Sequence, residues 1–396
     1  MDSAEREGLR PKGNVPTLRF PEFQGEWEKC KLGDIINFST TRVNSSELNK
    51  DNYVSTENML QDYQGIVKAK SVPEDVNVVS FSCGDILISN IRPYLKKVWK
   101  ATFNGGCSSD VFVLKANDNI ESDYLHYVIA NDKFINFVMS GAKGVKMPRG
   151  DKKQMETYSL SLPQIQEQHK IARLLSLLDE RISTQNKIIE DLKKLKSAII
   201  DYAINSIDAD FIKFSSLYEI AGEGGTPTTS NASFYDNGKI PFIKIDDLKK
   251  KYLTENKDFI TELGLQKSSA WLVPSRSILF SNGATIGEIT ITTYPVCTKQ
   301  GILGIVPKSN IDVEFLYYFM SSSYFKKAVS RIVTEGTMKT AYLKDINSIR
   351  CPIPTKGKQQ EIAQMPSALS SKIDFEQSIL KLFYAQKQYL LRQMFI

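Results

Sequence analysis

This chain repeats itself. At an offset of 191, Pro163 falls on Pro354, Gln168 on Gln359, Ile171-Ala172 on Ile362-Ala363 and Ile182 on Ile373. Upstream, Leu125, Tyr127 and Phe134 fall on Leu316, Tyr318 and Phe325, and Asp85-ILISN-Asn90 resembles Ser277-ILFSN-Asn282 at 192. The offset drifts further along, with Cys107 and Cys297 separated by 190, as expected of two copies of one fold that differ in loop length. Two like lobes follow from this. Each pairs about 140 residues of mixed pattern with a long helix. Short β-type runs (Asp85–Ser89, Val111–Leu114, Ser277–Phe280, Glu288–Thr292) lie between Gly, Asn and Pro turns. A helix is then expected over Ser122–Met139 in the first copy and Asp312–Val329 in the second.

The long helices carry the strongest periodicity. Apolar spacings of four and three run through Ile171, Leu175, Leu178, Ile182, Gln185, Ile189, Leu192, Lys196, Ile199 and Ala203, a heptad seam with two polar breaks. The second seam has the same breaks, with Glu376 at the place of Gln185 and Lys387 at that of Lys196. Antiparallel packing that sets Lys196 opposite Glu376 and Gln185 opposite Lys387 makes both pairs sum to 572, so these four residues are expected to set the register. Snorkelling of the same side chains to solvent is the alternative. Pro366 is expected to start the second long helix, since proline breaks a helix interior. The fold class is therefore α+β: two repeated mixed α/β domains joined by two long helices in an antiparallel, pseudo-two-fold coiled coil. The expected divisions are a disordered leader at 1–13, a first domain at 14–162, a first long helix at 163–207, a second domain at 208–354 and a second long helix at 355–396.

Composition narrows the function. Hydrophobic residues make up 41% and charged residues 24% of 396, which are globular values. No apolar run approaches the ~20 residues of a spanning helix, and the polar leader has no signal-peptide core, so a cytoplasmic protein with no membrane partner is expected. Five scattered cysteines and two histidines form no zinc spacing and no disulfide framework. The chain has no P-loop, no GxGxxG after a strand and no GxSxG elbow. A loose metal-nuclease pattern, Asp246-Asp247 with Glu255-Asn256-Lys257, is of a kind that arises by chance.

Recognition chemistry is better represented. The net charge of +6 is not concentrated in one domain, so a nucleic-acid surface has to be a local patch. Cations cluster at Arg92, Lys96, Lys97 and Lys100, and again at Lys143, Lys146, Arg149, Lys152 and Lys153 beside glycines. The second copy has Lys326, Lys327, Arg331, Lys339 and Lys344 in the corresponding region. Flexible cations suit phosphate, while Arg, Lys, Asn, Ser and Thr read base edges. The candidate DNA-contacting residues are Arg42, Asn90, Arg92, Lys143, Lys146 and Arg149 in the first copy, and Thr228, Thr229, Lys244, Asn282 and Lys339 in the second.

Ordered motifs carry a family resemblance. Val15-PTLRFPEF-Phe23 with Trp27, Gly224-Gly-Thr-Pro-Thr228 with Tyr235 and Asp246-Asp-Leu248, Leu162-Pro-Gln164 with Glu167-Gln168, and Pro352-Ile-Pro354 with Gln359-Gln-Glu-Ile-Ala363 span nearly the whole chain. Together they resemble the specificity subunit of type I restriction–modification systems. The first copy lacks a clear GGTP motif. The resemblance implies a non-catalytic reader of double-stranded DNA, each domain taking one half of a bipartite, asymmetric target. It implies two methyltransferase subunits docked on the helices, with restriction subunits joining for cleavage. It also implies no cofactor in this chain, with S-adenosylmethionine in the methyltransferase partner, and ATP and Mg in the nuclease partner. A helical protein–protein adaptor and, less favoured, a single-chain metal-dependent nuclease are the alternatives.

Overall fold

The computed structural model describes residues 13–144, 146–283, 285–333 and 340–396. Lys339 and leader residues 1–12 lie outside these. The chain divides into two compact units, Met1–Gln185 with Ile379–Ile396, and Asn186–Ser378.

Among the described residues the first unit contains ten strands: β1 (Glu28–Lys31), β2 (Ile36–Phe38), β3 (Arg42–Asn44), β4 (Tyr53–Val54), β5 (Asn77–Phe81), β6 (Ile86–Ser89), β7 (Val98–Lys100), β8 (Gly105–Cys107), β9 (Val111–Ala116) and β10 (Ser159–Leu162). They form sheets β2-β9-β6-β7 and β3-β5-β8-β4 and the pair β1-β10. Helices α1 (Ser122–Ile129) and α2 (Asp132–Ser140) pack on the first sheet, and α3 (Ile165–Asn205) leaves the unit after β10.

The second unit repeats this plan with β11 (Phe211–Lys213), β12 (Tyr218–Glu223), β13 (Ile240–Ile243), β14 (Tyr252–Leu253), β15 (Asp258–Ile260), β16 (Ile278–Ser281), β17 (Ile289–Thr292), β18 (Cys297–Thr298), β19 (Ile302–Pro307) and β20 (Arg350–Pro352). Its main sheet, β12-β19-β16-β17, gains β14 at the edge, β13 runs parallel to β18 as β4 does to β8, and β11-β20 repeats β1-β10. Helices α4 (Val313–Ser321) and α5 (Ser323–Ile332) follow, then α6 (Lys356–Gln393).

The single helix expected in each copy is two. Asn131 caps the start of α2 by accepting from the Lys133 N–H, and Ser322 does the same for α5 through Phe325. These short polar side chains offer the backbone an alternative to continued helix. A second correction concerns Pro366, which lies inside α6 rather than at its start. The proline removes one internal hydrogen bond, and Ser370 Oγ, one turn on, donates to the Pro366 carbonyl at 2.9 Å.

The repeated glutamines show what the conserved offset encodes. Gln168 is 1% exposed; its Oε1 accepts from the Glu121 N–H at 2.8 Å, and its Nε2 donates to the carbonyls of Asn119 (3.2 Å) and Pro163 (2.9 Å). Gln359 makes the same three bonds, from the Asp312 N–H (2.8 Å) and to Asn310 (3.3 Å) and Pro354 (2.9 Å). A buried amide so fully paired is a clasp between the helix start and its lobe.

Within each unit the two long helices run antiparallel. In the first, Lys387 lies against Asp179, and Phe395, beyond α6, stacks on Tyr124 beside the first turns of α3. In the second, Lys196 meets Ser370, while Ile200 and Ile204 further along α3 share a core with Ala363 further back on α6. Both polar pairs sum to 566. The expected Lys196–Glu376 pairing is therefore replaced: Glu376, 7% exposed, takes Lys372 of its own helix at 2.5 Å. The observed register lies six residues from the expected one, close to one heptad, a slip that apolar spacing distinguishes poorly, and Asp179, which flanks the seam, supplies a carboxylate that counting apolar positions overlooked. No helix of the described residues is long and apolar enough to cross a membrane.

Candidate nucleic-acid interface

In the first unit the chain after α2 returns as a hairpin laid along the end of β6. Lys143 and Arg149 exchange backbone hydrogen bonds (3.1 and 2.9 Å), the Arg92 N–H donates to the Pro148 carbonyl at 2.8 Å, and the Gly150 N–H to the Asn90 carbonyl at 2.9 Å. This places Arg92, Lys143, Lys146 and Arg149 in one neighbourhood. Arg92 adopts a left-handed φ of 51°, an unusual conformation for a side chain with Cβ. The cations are weakly engaged: Lys143 is 86% exposed at 4.0 Å from Asp151, and Arg149 is held by Asp110 at 3.4 Å. Such exposed pairs contribute little to stability and are available to a polyanion.

The second unit repeats the frame. The Ala341 N–H donates to the Asn282 carbonyl at 2.9 Å, as Gly150 does to Asn90, and the offset between donors is again 191. Asn90 and Asn282 are 9% and 2% exposed. Both therefore hold the loop in place and do not face outward, a correction to their expected role as base readers. A strand-end asparagine spans strand and returning loop with one amide, and that burial depends on a contact about 60 residues away. Their Oδ1 atoms have no partner among the described residues.

The Gly224-Gly225 motif has a steric explanation. A Cβ on Gly224 would sit 2.2 Å from the Thr298 carbonyl oxygen, and one on Gly225 2.3 Å from the Ala270 nitrogen. Only glycine lets this loop lie so close to β18. The loop then presents exposed Thr228 and Thr229, and Thr226 Oγ1 accepts from the Gln300 N–H at 3.3 Å. Lys244 is near the same edge, since the Lys299 N–H donates to the Ile243 carbonyl at 2.9 Å. Its ammonium meets Asp258 at 2.7 Å on the wall of a cavity of about 660 Å³. The acids of the loose nuclease pattern lie there too and are paired: Asp246 with Lys249 at 3.1 Å and Glu255 with Lys250 at 2.9 Å. Arg42, on β3, donates to the Asn77 carbonyl at 3.0 Å; no contact among the described residues joins it to the hairpin cations.

Residues 24–194 and 207–382 match the family described as type I restriction modification DNA specificity domain. The chain belongs to this family. It carries two copies of the specificity domain, one in each unit's share of the sequence, and it is a recognition chain rather than a catalytic one. It is 26% identical over 399 residues to the putative type I restriction enzyme MjaX specificity subunit of Methanocaldococcus jannaschii, covering 92% of this chain and 91% of the relative. A chain from a structure of complex assembly in a type I R-M system shares the fold at TM-score 0.61 and 16% identity, covering 93% and 97% of the two chains. The S subunit of a type I system from M. genitalium does so at TM-score 0.59 and 17% identity, covering 96% and 99%.

The specificity domains join their helices through polar clusters that the motif search missed. In the first unit, Asp179 accepts from the Tyr127 hydroxyl at 2.9 Å and from Lys387 at 2.5 Å. In the second, Lys251, the last of three consecutive lysines, is half-buried. Its ammonium donates to Ser367 (3.0 Å) and Tyr318 (2.9 Å), pairs with Glu314 and lies 4.7–5.8 Å from the rings of Tyr252, Tyr317 and Tyr318. Burial alone would lower its pKa, but bonds to Glu314 and Tyr318 outweigh this and raise it. The signal that could have found these residues is the 191 offset, which maps Tyr127 onto Tyr318.

His126, next to Tyr127, is half-buried with its Nδ1 shut off from water, and burial, aided by the Lys387 charge, lowers its pKa to about 4. The unfolded chain takes up this proton near pH 6.5, before the folded one does, so stability falls as pH drops from 6.5 toward 4. The loss is on the order of 3 kcal/mol for that single group. Urea midpoints of the wild type between pH 7 and 4.5 should show an acid loss that His126→Gln reduces; equal slopes would exclude His126 as its source.

Proposed function

We propose that this chain selects the DNA target of a type I restriction–modification complex, each specificity domain reading one half of a bipartite, asymmetric site. The observation that carries this reading is the exposed hairpin held at the end of β6, with the cations Arg92, Lys143, Lys146 and Arg149 gathered on it, and the matching backbone bond from Ala341 to Asn282 at the end of β16. Such cations supply phosphate affinity, while polar loop residues such as Arg42, Thr228, Thr229 and Lys244 supply base contacts. Lys339 belongs to the second unit's matching loop by sequence.

The helices act as ruler and docking surface. Two methyltransferase subunits bind them, carrying S-adenosylmethionine and doing the base extrusion and methyl transfer. Restriction subunits with ATP and Mg join where present. The complex works in the cytoplasm. The half-buried polar pairs Lys387–Asp179 and Lys196–Ser370 set the helical register.

The test is methylation mapping of host DNA with and without this gene. A lost methylated motif made of two separated parts supports the reading; an unchanged methylome, with no sequence preference in binding by the chain, supports an adaptor. Inserting one heptad at matched points of α3 and α6 adds about 10 Å, or about 3 base pairs. The gap between half-sites should lengthen with each half-site unchanged; altered half-sites would refute the ruler.

A further inference from the structure

The repeat breaks at one position. In the first unit the Tyr127 hydroxyl and Lys387 ammonium converge on the carboxylate of Asp179. The 191 offset maps Tyr127 to Tyr318 and Asp179 to Ser370, and relates Lys387 to Lys196. The same three positions converge in the second unit. The Tyr318 and Ser370 hydroxyls lie 3.3 Å apart and Lys196 donates to Ser370 at 3.4 Å. Here a neutral hydroxyl stands where the carboxylate would be.

The charge left over is considerable. Among the described residues no carboxylate lies within 4.0 Å of Lys196. Lys251 enters the same cluster through Tyr318 and Ser367, and only Glu314 answers it. Burial, then Lys251, Lys193 and Lys326, lower the Lys196 pKa against the pull of Asp374. An ammonium withdrawn from water without a counter-charge is costly. A cavity of about 260 Å³ opens beside it, lined by Lys196, Lys249, Lys326, Tyr318 and Ser321, with Glu288 the one acid on its wall. Lys249 is held by Asp246, and the Tyr318 and Ser321 hydroxyls donate to Ser367 and the Tyr317 carbonyl, which leaves the ammonium groups of Lys196 and Lys326 without a carboxylate among the described residues and open to an oxyanion.

We propose that the second unit binds a phosphate-class oxyanion in this cavity, in the role that the Asp179 side chain plays within the first unit. The cavity lies between α3, α4, the first turn of α5 and residues 287–289, shares Lys196 and Tyr318 with the Ser370 cluster, and is independent of the DNA-reading proposal.

The full chain, without DNA or partners, is titrated with inorganic phosphate against chloride at constant ionic strength, following thermal unfolding and ³¹P line width. Saturable broadening is expected, with the transition rising by about 5 °C at a hundredfold excess over the midpoint. Ser370→Asp restores the first unit's arrangement. It should melt higher than wild type without phosphate and bind phosphate at least tenfold more weakly. Lys196→Met should lose the response, and Ser370→Asp decides the matter if Lys196→Met does not fold. Absence of saturable binding in the wild type, or unchanged binding in Ser370→Asp, overturns the proposal. DNA selection is scored separately by methylation mapping, so failure of one reading leaves the other standing.

Discussion

Replacing Lys143, Lys146 and Arg149 together with alanine should weaken binding of the cognate duplex by roughly 100-fold near 0.15 M salt. The three cations lie on one hairpin held to the end of β6 by the Arg92 and Gly150 backbone bonds. Each cation that meets a phosphate releases about one counterion, so the slope of log affinity against log salt should become shallower by about three. Phosphate contacts carry no sequence information, so the preferred target should be unchanged while affinity for every sequence falls. Fluorescence anisotropy at several salt concentrations, with cognate and scrambled duplexes, measures both quantities. A triple variant with wild-type affinity and slope would move the interface elsewhere. The hairpin's fold should survive, because its stabilising bonds are backbone ones and its charged pairs with Asp110 and Asp151 are exposed.

Phe325→Ala should cost the second unit about 3–5 kcal/mol. The ring is fully buried, with centroids 5.5 Å from Phe319, 5.6 Å from Phe214 and 6.0 Å from Phe280. It joins α4, α5 and the main sheet, and no neighbour can collapse into so central a cavity without breaking other contacts. Calorimetry should show the transition assigned to Asn186–Ser378 falling by about 10 °C. Phe134, its counterpart at the 191 offset, is equally buried, and Phe134→Ala should lower the other transition. Identical melting of both variants in one merged transition would mean that the units do not unfold separately.

The residues that were legible in the sequence share a property: they recur. The Gln168 and Gln359 clasps, the strand ends at Asn90 and Asn282 and the seams of α3 and α6 all lie at nearly constant offset, because both copies solve the same packing problem. What the sequence concealed depends on partners remote along the chain. Lys251 is one lysine of three in a row, and its environment is set by Tyr317 and Tyr318, more than 60 residues away. Asn90 reads as a base-reading candidate until Gly150 ties its strand end to the returning hairpin. Asn131 and Ser322 break each expected helix by capping the next one, and continuous apolar spacing on either side concealed this. The slip of the helical register has the same origin, since Asp179 lies off the apolar seam.

The makeup of the first unit has a consequence for how the protein is made. Its core includes Leu390, Leu391, Met394 and Phe395, and Phe395 stacks on Tyr124 with ring centroids 5.2 Å apart. Translation delivers those side chains only after every residue of Asn186–Ser378 has been synthesised. The usual N-to-C order of domain completion is thereby inverted: the later-coded unit can finish first, while the earlier one waits on the ribosome with an open apolar flank.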